Sequence, residues 1–307
     1  IRIGKKKKLL SRIDNIILPF KLSLYSVKNK SDLIITRNLV ISFFLIIFRT
    51  KHILEIHDDL VIGGKKISWI FKEFKLLNSA KIKKIVFITK CLYNFIACKY
   101  NYKKNNFDIL PDSSSIKTNN KKIIAKKKLK IGYFGSIYKS RGIEIVIKLS
   151  KLNIKNDYFI FGGTNNEIDI LKTKYRTKNL KFYKQIPYSK IGNEINKMDI
   201  VLMPYTNKVT STGDIGNIIN FMSPMKMFDY LSSGKLIISS DLPVLREILK
   251  NNYNAILIKN YVNISEWRKH IDNYNFNISK IIIMQKNAQN LMKNLTWKNR
   301  AKKIINF

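Results

Sequence analysis

The sequence predicts an α/β protein of two Rossmann-like domains whose mostly parallel sheets face a cleft. Three observations carry this. Apolar runs of strand length alternate with helical patterns along most of the chain. A polar, basic stretch at residues 113–128, SSSIKTNNKKIIAKKK, interrupts the alternation once and has the composition of a linker. Directly after it, LKIGYFGS (129–136) restarts the pattern as a strand running into a glycine turn. Strands alternating with helices require a parallel sheet covered on both faces.

The elements follow in order. Residues 5–27 place apolar side chains at helical spacing, broken at Pro19. DLIIT (32–36) is the first convincing strand, and HILEI (52–56), KIVFI (84–88) and FDILP (107–111) are further strands. Helices are expected at 69–80 and, capped by Thr89, at 90–100. LVISFFLIIF (39–48) is about half the length that spans a bilayer. It reads as a buried helix, with a shallow membrane-facing helix as the alternative. A nucleotide-binding half opens with a strand and a Gly-rich turn, and neither precedes residue 32. The first domain is therefore expected to be incomplete, truncated at its start. In the second half, helices at 143–152, 167–175 and 189–197 alternate with strands at 157–163, 181–183 and 199–205. A short helix and the strand KLIISS (235–240) come next, then a helix from Pro243 and the strand AILI (255–258). TWKNRAKKIINF closes the chain as a helix with Thr296 as N-cap and Trp297 as anchor. The expected domains are 1–115, a linker at 116–128, a second domain at 129–293, and a closing helix at 294–307.

Lys and Arg total 58 against 20 Asp and Glu, a net charge of +38. So basic a chain suits an anionic partner, either nucleic acid or a lipid face. Compositional drift in a sequence saturated with Lys, Asn and Ile explains the charge equally well. The aromatics fall in strand and helix cores without a basic–aromatic RNA motif, which disfavours nucleic acid. Cys91 and Cys98 have neither a metal spacing nor a disulfide framework, as in a reducing compartment. Zinc clusters, D-x-D pairs, G-x-S-x-G elbows and Walker A motifs are absent from the sequence.

The stretch with most chemistry is SPMKMFDYLSSGKLIISS (223–240). Ser223 reads as N-cap and Pro224 as the first helical residue; Met225, Phe228 and Leu231 form an apolar stripe, and Gly234 ends the helix. Amides at a helix N-terminus attract anions, yet Lys226 sits in the first turn, against the helix dipole. A bound phosphate would account for that lysine, and Asp229 one turn on would suit a vicinal diol. A surface helix with ordinary charges fits the same residues. GSIYKSRG (135–142) follows the first strand of the second half and offers amides with Lys139 and Arg141. A solvated turn is the alternative there. Tyr133 and Phe161 read as core. EIHDD (55–59) ends a strand with His57, and Asp58 and Asp59 read as caps.

The 223–240 stretch resembles the nucleotide-sugar site of family-4 glycosyltransferases with the GT-B fold, in the S-P-x-K-x-F-[ED]-Y subgroup. The resemblance implies that the amides around Ser223, Pro224, Met225 and Lys226 hold the diphosphate and donor sugar, and that Asp229 takes the ribose hydroxyls. The partner Glu of the family, eight positions earlier, falls on Phe221. The 135–142 turn resembles the family's glycine turn, which implies that Gly135 and Ser136 line the donor site and Arg141 bears on the diphosphate. Ile186, Pro187 and Tyr188 fall where family members cradle the nucleobase, and His57 falls on a donor-sugar contact. The closing helix corresponds to one that crosses back onto the first domain in the family. The implied activity is retaining, metal-independent transfer from a nucleotide diphosphate sugar to a saccharide or lipid-linked acceptor. Arg141, Lys226 and His57 are the expected catalytic residues. No cofactor is expected, and the expected setting is cytoplasmic, at the inner face of the membrane, building surface polysaccharide or glycolipid. A sugar-nucleotide 2-epimerase of the same fold and a basic nucleic-acid-binding protein are the alternatives.

Overall fold

Among the described residues, parallel pairing gathers ten strands into two sheets. The computed structural model describes residues 2–116, 122–137, 141–209 and 217–306. Lys139, part of the expected linker, and residues 210–216 of the polar stretch 205–217, which could order over a bound donor or be only a loop, lie outside the described residues. The chain divides into two compact units, one of Ile1–Pro111 with Asn220–Met222, the other of Asp112–Ile219 with Ser223–Phe307.

The first unit runs α1 (Arg2–Lys28), β1 (Ile35–Thr36), α2 (Leu39–Ile47), β2 (His52–Ile56), α3 (Lys65–Glu73), β3 (Ile82–Phe87), α4 (Lys90–Lys99) and β4 (Phe107–Ile109). Its four strands lie side by side in chain order, all parallel. Ile53, Leu54, Ile85, Val86 and Phe87 are fully buried, as strands covered on both faces require. Thr89 caps α4 as expected, its hydroxyl accepting from Leu92 N at 3.2 Å.

Three expectations for this unit need correction. Pro19 does not break the first helix, because packing against α2 holds it: the buried Ser23 hydroxyl lies 3.4 Å from Ile41 O of α2 and donates to Pro19 O, one turn back, at 2.8 Å. Only Ile35 and Thr36 of DLIIT pair as strand. The helix expected at 69–80 starts earlier and ends at Glu73, where Lys75 turns left-handed (φ 47°) ahead of a single 3-10 turn at Leu76–Asn78. The apolar run at 39–48 forms α2, with Leu39, Ser42 and Leu45 buried. Among the described residues no helix is long and apolar enough to cross a membrane. Cys91 and Cys98 are both free thiols.

The second unit runs β5 (Lys130–Phe134), α5 (Ile143–Leu152), β6 (Asp157–Phe161), α6 (Asn165–Lys174), β7 (Leu180–Tyr183), α7 (Tyr188–Asn196), β8 (Ile200–Met203), α8 (Met225–Ser233), β9 (Leu236–Ser240), β10 (Ile256–Ile258), α9 (Ile264–Asp272), α10 (Ile278–Asn294) and α11 (Trp297–Ile305). Strand order is β7-β6-β5-β8-β9-β10, all parallel. Counted from β5 this is the doubly wound order 3-2-1-4-5-6, whose ligands bind at the carboxyl ends of the strands where the order reverses. That switch point lies between β5 and β8.

The helix expected from Pro243 is only a 3-10 turn at Leu245–Glu247, and α9 and α10 were not foreseen. Trp297 is 36% exposed and does not anchor α11. The buried indole is instead Trp267 on α9, which donates to Tyr261 O at 3.0 Å.

Candidate functional site

The glycine turn after β5 and the loop after β8 meet at the switch point. Gly142 precedes α5 with φ +77°, and a Cβ there would lie 1.6 Å from Pro204 O. Only glycine permits that approach. Gly135 (φ +136°) opens the same turn, and a Cβ on it would come within 2.9 Å of Lys226 Nζ. The Tyr133 hydroxyl donates to Ser136 O at 2.6 Å and ties the turn to its strand.

Helix α8 presents Lys226 and Asp229 to this region. Its Tyr230 hydroxyl accepts from Phe134 N at 2.9 Å, locking the helix onto β5. The start of α8 differs from expectation. Pro224 occupies the capping position with extended backbone (ψ 120°), and no side chain caps the helix. A residue before proline avoids the helical region, so Ser223 stays outside the helix. Its hydroxyl accepts from Asp112 N at 3.3 Å instead. Met225, expected in the apolar stripe, is 40% exposed; the buried face is formed by Met227, Phe228, Tyr230 and Leu231. Gly234 ends the helix left-handed, as expected (φ 64°).

Lys226 points its amine inward. Nζ lies 4.0 Å from the Tyr133 ring centroid and 5.2 Å from that of Tyr205, buried and without a hydrogen-bond partner among the described residues. Burial, and then the nearby Arg141 charge, hold this amine well below the usual lysine range. Arg141 reaches the Tyr205 hydroxyl, whose own pKa burial pushes up to about 12. Asp229 is 4% exposed; its Oδ1 accepts from Ser114 Oγ at 2.7 Å and from the Tyr188 hydroxyl at 2.8 Å. Burial raises the carboxyl pKa, and those two hydrogen bonds partly counter it. Beside these groups lies a cavity of about 350 Å3 lined by Gly135, Ser136, Gly163, Gln185, Ile186 and Tyr188, among others. Pro187 precedes α7 next to it.

The fold therefore gathers Gly135, Ser136, Arg141, Lys226 and Asp229 at one end of the second sheet, with Ser223, Pro224 and Met225 at the head of α8. Phe221 belongs to the first unit's core, 4.6 Å centroid to centroid from Phe95. His57 also lies in the first unit, its Nε2 2.6 Å from Glu55 Oε1. It lines a cavity of about 380 Å3 with Arg37, Asn38, Glu55 and Asp58. Asp59 caps the turn that follows, accepting from Val61 N, and also holds Lys99 at 2.6 Å. Sequence reasoning gave Arg37 and Ser114 no site role and took Tyr205 only as the start of a polar loop that could order over the donor; Tyr133, read as core, is core and also lies against Lys226. The one available signal was a tyrosine, not a phenylalanine, in a fully buried strand, since a buried hydroxyl needs a partner.

A doubly wound parallel sheet with glycine turns at its switch point is the mark of nucleotide-binding proteins with Rossmann-like domains. Residues 115–290 match the family described as Glycosyl transferases group 1. The chain belongs to that family, and is a glycosyltransferase. Solved structures agree in fold. Sucrose-phosphate synthase from Thermosynechococcus elongatus superposes with TM-score 0.69 at 12% identity, over 92% of this chain and 74% of that one. Anabaena HepE in complex with UDP gives TM-score 0.70 at 13% identity, over 94% and 80%. WaaG, a glycosyltransferase involved in lipopolysaccharide biosynthesis, gives 0.63 at 10% identity, over 92% and 80%. The fold is GT-B, with two Rossmann-like domains. Among curated proteins none matches the sequence.

Proposed function

We propose that the chain is a retaining, metal-independent glycosyltransferase of family 4. In this reading it moves a sugar from a nucleotide diphosphate donor to a saccharide or lipid-linked acceptor. The observation that carries the reading is the pairing of Lys226 with Arg141 at the switch point, beside Gly135 and the uncapped start of α8. Two cations and helix-end amides are what a leaving diphosphate needs when no metal takes up its charge. Asp229 takes the ribose hydroxyls, and Gly135, Ser136, Pro187, Ser223, Pro224 and Met225 line the donor. His57 contacts the donor sugar, oriented by Glu55. HepE, a structural neighbour, holds UDP, and WaaG's role suggests surface glycan synthesis at a membrane.

A thermal-shift panel of UDP, GDP and ADP sugars tests this. One nucleotide family should raise the melting temperature of the wild type, and Asp229→Ala should abolish most of that shift. No shift with any donor would sink the reading.

A further inference from the structure

The amine of Lys226 is held in a way the proposed function does not require. A cation that grips phosphate usually waits in water or on a carboxylate. Here Nζ is buried against the faces of Tyr133 and Tyr205 and has no hydrogen-bond partner among the described residues. The backbone of Gly135 closes a further side, since even a methyl group there would crowd Nζ. Both tyrosines are buried and held by other groups. The Tyr133 hydroxyl is spent on Ser136 O, both rings are fully buried, and Tyr205 is engaged by Arg141.

We propose that Tyr133 and Tyr205 are positioning residues that cage the Lys226 side chain at the diphosphate site, and that the caged amine takes up a proton as the nucleotide enters. The proposal rests on the nucleotide-sugar reading of the site. Two aromatic faces favour a cation, but they cannot replace the hydrogen bonds an ammonium loses on leaving water. The titratable groups around the amine decide its state. Tyr133 on β5, Tyr205 after β8 and Tyr230 on α8 are neutral, their hydroxyls pushed upward by burial. Arg141 is a fixed positive charge nearby and favours the neutral amine. Glu144 acts on Tyr133 from the first turn of α5, and Asp229 sits a turn further along α8, occupied by Ser114 and Tyr188. A diphosphate supplies the missing acceptor and the missing opposite charge together. The proton leaves a buffer acid or hydronium ion in solvent, where its bond breaks, and forms the new N–H bond on Nζ.

Calorimetric titration with UDP, GDP and ADP at pH 8, in buffers of different ionisation enthalpy, counts the protons. The terminal phosphate, with its second pKa near 6, is already ionised there. The expected result is about one proton taken up per nucleotide by the wild type, and none by Lys226→Met titrated to millimolar nucleotide. Tyr133→Phe should keep affinity within about threefold, whereas Tyr133→Leu, once shown to unfold cooperatively and to be folded at the titration temperature, should bind at least about tenfold more weakly. Binding without proton uptake overturns the cage and leaves the nucleotide-sugar reading standing, whereas no binding by any nucleotide sinks both. Full uptake by Lys226→Met, or wild-type affinity in a folded Tyr133→Leu, also overturns the cage. If the leucine variant does not fold, the wild-type proton count decides alone.

Discussion

Lys226 has a cost that its proposed role explains. Its amine is kept below the usual lysine range, so below the ordinary lysine pKa the folded chain binds fewer protons there than the unfolded chain. This group's contribution to stability is therefore present above the ordinary lysine pKa of about 10.4, and it is lost as pH falls through the lowered folded value. Lys226→Met should flatten that slope. By deleting a buried amine that has no hydrogen-bond partner among the described residues, it should raise stability at pH 7 by about 1–3 kcal/mol. In a scanning experiment that is a melting temperature several degrees higher, together with weakened nucleotide binding. A lower melting temperature would mean the amine finds a partner in solution. Asp229 shows the same tension. Its carboxylate is buried and already holds two hydroxyls, so a ribose must displace or join Ser114 and Tyr188.

Elements were legible where a local signal fixes them. Helix α5 falls on the expected residues 143–152, because glycine precedes it and a continuous apolar face follows. Its head is the most demanding joint in the second unit, since Gly142 is both left-handed and pressed on Pro204 O. Gly142→Ala should cost at least about 2 kcal/mol in urea unfolding, the strain of a left-handed non-glycine residue plus the displaced carbonyl. A loss under 0.5 kcal/mol, on the order of a neutral surface change, would show that the β8 loop yields freely. The elements that escaped prediction lacked such signals. The buried face of α8 is set by packing on the sheet and on α10, so the simple i, i+3 stripe led to Met225, which is exposed. α9 and α10 carry Lys, Asn and Gln between their apolar positions, and this polarity masked the 3.6-residue period.

Over the whole molecule the net charge of +38 leaves most cations without acidic partners, since only 20 carboxylate side chains exist. Self-repulsion on that scale opposes the compact state and is screened within about 8 Å at physiological salt. Raising sodium chloride from about 20 to about 200 mM should therefore raise the melting temperature by several degrees. Sodium sulfate and chloride compared at equal ionic strength separate screening from specific anion binding. A melting temperature that falls with salt would mean that ion pairs such as Lys126–Asp199 and Lys84–Asp108 outweigh the repulsion.

The sequence by itself determined the alternation of strands and helices, the glycine turn after β5 and the Lys226–Asp229 spacing on α8, because periodicity and glycine act over a few neighbouring residues. Only the tertiary structure decided what those side chains meet. Tyr188 lies 41 residues from Asp229 and Ser114 lies 115 away, yet both hydroxyls bond the same carboxylate oxygen. Tyr133 and Tyr205 close on Lys226 from two different strand ends. A residue's tendency to be buried is written locally, whereas its partner is set by the order in which the strands join the sheet.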